Sequence, residues 1–220
     1  MNNATEIANL SEPENWMADC FELNIELTGD PQQIAPMIEA IRAFPDVTAL
    51  YIESPHKDAT VSLQTLNHLP QKLPDSGLRL CGYLDFHSVQ LLPFKFSYFD
   101  FQPKSGQHKL SVQLFIYSSG LEKALNDRHH RLAEQYDDQL EKLFARIGLA
   151  IFKHQPFRCA QICWEAFASM EDDAVRQRLQ EKSTYEALLV PSDGELVYYP
   201  TTLIRADDPI RSELRTVDRP

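Results

Sequence analysis

The sequence predicts an α+β fold: a large, mostly antiparallel sheet packed by one long and two shorter helices. Two observations carry that expectation. Short runs with period-two alternation recur along the chain, several joined by brief links, as in an antiparallel meander. A single long stretch, from about residue 119 to 151, has instead the 3.6-residue period of an amphipathic helix. With 220 residues and 43% hydrophobic side chains, the chain has enough apolar material for a core. The expected division is an acidic lead-in over 1–19, one α+β domain over 20–202, and a charged tail over 203–220.

Residues 20–28, CFELNIELT, put Phe21, Leu23, Ile25 and Leu27 on one side and Glu22, Asn24 and Glu26 on the other. The pattern predicts a strand with one wet face. Asp30-Pro31 starts a turn. A helix follows, with Pro36 in its first turn and Met37, Ile38, Ile41 and Phe44 as its apolar stripe. VTALYIE (Val47 to Glu53) reads as the next strand. Residues 54–77, rich in Pro, His and Lys, read as irregular. Three strand-like runs come next: Leu78 to Phe86, the aromatic Pro93 to Phe101, and Lys109 to Tyr117.

Ser119 with Glu122 has capping-box spacing and opens the long helical segment, with a break expected near Asn126. PFRCAQICWEAF alternates as a strand, although a helix also fits. Ser169 with Asp172 opens a helix reaching about Lys182, with Val175 and Leu179 as apolar contacts. A hairpin, ALLV and ELVYY about the turn PSDG, closes the domain.

The net charge is −11, and its distribution is uneven. Residues 1–53 hold ten acids and one base, Arg42. Nucleic acid and anionic membrane both need a cationic footprint, so neither is an expected partner. The N-terminus lacks the basic and apolar regions of a signal peptide, and no apolar run approaches membrane-spanning length. The four cysteines include no CxxC pair, which suits packing in a reduced cytoplasmic compartment.

The stretch RHHRLAEQYDDQLEKLF (Arg128 to Phe144) has the most chemistry-like composition. On a helical wheel, His129 falls within the apolar stripe of Leu140, Leu143, Phe144 and Ile147. His130 lies about 100° away, beside Glu134, Asp137, Asp138 and Glu141. The two histidines therefore cannot share an ion on a regular helix. His130, Glu134 and Asp138 stand at i, i+4 and i+8, a span of about 12 Å that is too long for one metal centre. Acids of the run Met170 to Asp173 suit a helix N-terminus. Cys159 and Cys163 would share a face of a strand as packing residues. The patterns GxxxxGK[ST], GxGxxG, GxSxG and HExxH do not occur. No cofactor, metal or catalytic residue is assigned.

The segments LSVQLFIYSSGLEKAL and PFRCAQICWE, separated by a long amphipathic helix, resemble the stand-alone immunity proteins of bacterial polymorphic toxin systems. The resemblance covers roughly residues 108–165 and carries over no binding residues. It implies a small acidic α+β protein that binds and blocks a toxin encoded by a neighbouring gene. The expected function is thus non-enzymatic: exposed carboxylates engage a basic protein partner. Glu22, Glu26, Asp137, Asp138, Glu141, Glu171, Asp172 and Asp173 are the candidate acids. The alternatives are a secretion or assembly chaperone or adaptor, and a small-molecule enzyme or sensor lined by the aromatic strands.

Overall fold

A computed structural model describes residues 8–17, 19–28, 34–55, 61–66, 79–86, 90–101, 109–124, 133–164, 175, 179, 186–201 and 215–216. The strands are β1 (Cys20–Thr28), β2 (Val47–Pro55), β3 (Val61–Thr65), β4 (Arg79–Phe86), β5 (Gln90–Phe101), β6 (Lys109–Tyr117), β7 (Cys159–Trp164), β8 (Ala187–Ser192), β9 (Glu195–Tyr199) and β10 (Arg215–Thr216). The helices are α1 (Ile34–Arg42), α2 (Ser118–Ala124) and α3 (Ala133–His154). A 3-10 turn at Pro13–Trp16 precedes β1.

The strands form one sheet in the order β10-β9-β8-β7-β1-β6-β5-β4-β2-β3. The first nine pair antiparallel, and β10 joins β9 in parallel through two residues. The α+β class and the large antiparallel sheet are as the alternation predicts.

β1 occupies the run that alternation marks, but its polar face is not wet, because the strand lies at the centre of the sheet. It pairs with β6 on one side and β7 on the other. Phe21, Leu23, Ile25 and Leu27 face α1 and α3 and join Met37, Ile38, Ile41, Leu140, Phe144 and Ile147 in the main core. Phe21 and Phe144 stack at 5.5 Å between ring centroids. Gly148 permits close packing of α3: a Cβ there would overlap the end of Leu189 on β8. The long helical segment is divided, as expected, into α2 and α3; Arg128 to Leu132, with both histidines, lie outside the described residues.

Three features depart from the sequence reading. β3 falls within the stretch read as irregular, paired along β2 from Tyr51↔Thr65 to Pro55↔Val61. β10 draws two tail residues onto β9. β5 starts at Gln90, so Pro93 lies inside a strand. The β5–β6 ladder begins only at Lys95↔Phe115, and the missing N–H of Pro93 therefore removes nothing from it.

Part of the lead-in is packed on the sheet. Leu10, 2% exposed, joins Tyr51, Cys81 and Tyr83 in a second apolar cluster, with Trp16 against it. These residues cover β2 and β4 on the sheet face opposite α1 and α3. Met17, in contrast, is 57% exposed.

Candidate partner-binding face

The sheet face away from α1 and α3 has an aromatic end and a polar middle. The aromatic end is built by the lead-in. Trp16 Nε1 donates to the Leu10 carbonyl at 2.8 Å, tying the 3-10 turn back to the segment before it. The Ser119 hydroxyl donates to the Met17 carbonyl at 2.7 Å and accepts from the Met17 amide at 3.0 Å. Ser118 N–H donates to the Asp19 carbonyl at 2.8 Å. Ser119 therefore clasps the lead-in, a use different from the N-cap that its spacing suggests. An ion pair between Lys123 and Glu12 adds a second tie.

This clasp stands Trp16 edge-on to Tyr117, 6.0 Å between centroids, and Tyr117 edge-on to Phe115 at 5.5 Å. All three rings are half-buried. Lys95 Nζ lies 4.4 Å from the Trp16 ring centre and 3.0 Å from Glu53 Oε1. One ammonium thus meets both a π face and a carboxylate, the two groups that attract cations most directly. The Tyr117 hydroxyl is held above its ordinary pKa, first by burial and then by the negative fields of Cys20, Glu22 and Glu53, against a smaller opposing pull from Arg79.

The polar middle is set by register. Glu22 lies between Phe115 and Cys163, Asn24 between Gln113 and Gln161, and Glu26 between Ser111 and Cys159. The Ser111 hydroxyl donates to Asn24 Oδ1 at 2.6 Å, and Arg158 Nη2 reaches Glu26 Oε2 at 2.7 Å. The Cys20 thiol donates to Glu22 Oε1 at 2.8 Å. Ser97 Oγ and Gln161 Oε1, both deeply buried here, have no hydrogen-bond partner among the described residues. Cys81, beneath the lead-in, has its thiol pushed up to about 12 by burial and the nearby Glu53, partly offset by Lys95.

The candidate acids therefore divide. Glu22, Glu26 and Glu141 are 8%, 7% and 4% exposed, which corrects the expectation that they form an exposed acidic surface. For Glu22 and Glu26 the cause is the central position of β1, whose polar side chains are enclosed by those of β6 and β7. Asp138 is half-buried on α3. The side chain of Asp137, and residues Glu171, Asp172 and Asp173, lie outside what the structure describes. Among the described residues of the lead-in, Glu14 and Asp19 are exposed acids near the aromatic end.

Glu141 is buried by the end of β9. Its carboxylate accepts from the Tyr198 hydroxyl and from the Thr201 amide at 3.3 Å. Burial lifts its pKa from 4.5 to about 7; the Tyr198 and Thr201 hydrogen bonds pull it down, and Asp138 adds a smaller upward push.

A cleft of about 200 Å³ beside α3 is lined by Asp46, Asp85, Gln139, Lys142 and Arg146, with Arg146 Nη1 3.3 Å from Asp46 Oδ2. That volume is below the range of roughly 300–1,000 Å³ usual for small-molecule sites. Among the described residues, no group of three or more His, Cys, Asp or Glu is placed to hold a metal ion. Among them, too, no helix is long and apolar enough to cross a membrane.

Sequence reasoning missed the Trp16–Lys95–Glu53 and Arg158–Glu26 contacts, because each joins residues far apart in the chain. The visible signal was Trp16 itself, a large aromatic beside an acidic run. No protein-family model matches the chain, and comparison with curated proteins finds no match.

Proposed function

We propose that the chain is a non-enzymatic, acidic protein-binding domain acting in the cytoplasm, and specifically an immunity protein that neutralises a toxin by covering a basic site. The observation that carries this reading is the concentration of charge in residues 1–53, ten acids against one base, with Glu14 and Asp19 exposed beside the half-exposed Trp16. Exposed carboxylates steer a cationic partner toward the surface, and a few desolvated aromatics then hold it.

The test is co-expression with the product of the adjacent open reading frame. The expected result is a complex with a basic protein that weakens as salt rises from 50 to 500 mM, on the order of tenfold or more as rim charges are screened. Failure of the pair to co-purify, or affinity indifferent to salt, would overturn the reading.

A further inference from the structure

We infer that the aromatic end of the open sheet face, formed by Trp16, Met17, Phe115 and Tyr117, is a docking surface for an arginine-bearing segment of a protein partner. The inference rests on the acidic-binder reading above and deepens it by naming where and what the surface grips.

Three observations converge there. The first is exposure: Met17 is more than half exposed, and Trp16, Phe115 and Tyr117 are each partly so. The rings of Trp16, Tyr117 and Phe115 form a contiguous edge-to-face set from the lead-in to β6. Such amphipathic rings are the usual anchors of interfaces.

The second is charge. Glu14 and Asp19 flank Trp16 and Met17 in sequence and are exposed. Glu22 and Glu53 act on the Tyr117 hydroxyl, and Lys95 is the base seated among them, with Arg79 further out. Four carboxylates against two cations leave the patch negative, complementary to a basic segment and repulsive to an acidic one.

The third is a precedent within the chain itself. Lys95 shows that a cation fits against Trp16 with a carboxylate behind it. A guanidinium suits the remaining rings better than an ammonium, because its plane stacks on aromatic faces while its fork reaches carboxylates.

The experiment uses the full chain carrying Trp164→Phe, which leaves Trp16 as the only indole. Its emission is followed while an acetylated hexa-arginine peptide is added, with hexa-lysine and hexa-glutamate peptides as comparisons. The arginine peptide is expected to give a saturable change in Trp16 emission, the lysine peptide a weaker one and the glutamate peptide none. Joint reversal of Glu14→Lys and Asp19→Lys should weaken the arginine peptide roughly tenfold, as should Phe115→Ala. Glu39→Lys, on α1 across the sheet, should leave it unchanged. Both reversals are at the surface, and a melting temperature near that of the parent confirms that the fold is kept.

If calorimetry detects arginine-peptide binding while Trp16 emission and the double reversal are silent, the docking surface is elsewhere. The inference then falls while the acidic-binder reading stands. Absence of any arginine-peptide binding also overturns the inference. In that case, co-purification of a basic partner decides separately whether the broader reading survives.

Discussion

Leu23 and Glu22 are adjacent on β1, and both are more than nine-tenths buried, but in different ways. Leu23 lies under α3 in a continuous apolar core. Glu22 lies on the other face, hemmed in by Phe115 and Cys163 on the flanking strands. On the helix-covered face, burial removes hydrocarbon from water and stabilises directly. On the open face, burial encloses carboxylates, amides and hydroxyls, which lowers stability unless each finds a partner. Alternation in a strand therefore reports which side a residue faces. Whether that side is wet depends on where the strand stands in the sheet.

The largest expected effect lies on the helix-covered face. Phe144→Ala removes a fully buried ring stacked on Phe21, and should cost about 3–5 kcal/mol in denaturant unfolding. A loss below about 1 kcal/mol would mean that α3 is not packed as described.

Glu141 puts a carboxyl into that same apolar face and makes its stability depend on pH. Its folded pKa, about 7, stands above its ordinary 4.5. Between those values the folded protein holds a proton that the unfolded chain releases, so stability falls as pH rises through the window. The full cost, present above pH 7, is about 3 kcal/mol. Glu141→Gln retains an acceptor for Tyr198 and cannot ionise. Measured from pH 5 to pH 8, the parent should lose about 2–3 kcal/mol relative to the variant. Parallel stability curves for the two proteins would remove the argument.

The smallest effect belongs to the open face. Arg158→Ala leaves Glu26 enclosed beside Ser111 and Cys159 without its guanidinium partner. Since the pair retains some exposure, the expected loss is about 2 kcal/mol, short of that for a fully buried pair. Adding Glu26→Gln should recover part of it. A single-variant loss under about 0.5 kcal/mol would show that this face behaves as ordinary solvated surface, and the contrast with the helix side would collapse.

Much of the fold was legible because it depends on local pattern. The boundaries of β1 and β6, Pro36 in the first turn of α1 and the stripe of α3 all follow from spacing within a few residues. β3 was not legible, since five residues amid Pro, His and Lys carry too little alternation, and its pairing partner β2 supplies the order. The candidate surface was harder still. A helical wheel places Glu141 on a polar edge, but Tyr198 and Thr201 arrive from about 60 residues away to bury it. The clasp of Ser119 on Met17 and the seat of Lys95 on Trp16 likewise join distant segments, and no local window contains both partners.

The central place of β1 also sets a timetable for synthesis. Its registered neighbours Phe21 and Trp164 are 143 positions apart. At about 5–20 residues per second, the ribosome needs roughly 7–30 s to reach the second after making the first. Until β6 follows, neither side of the β1 ladder exists, and until β7 follows its second side stays open, while the apolar row from Phe21 to Leu27 waits for α3 to cover it. A chain arrested before α3 would present that row to any chaperone or aggregate within reach, so for this protein the making of one helix is also the moment of protection.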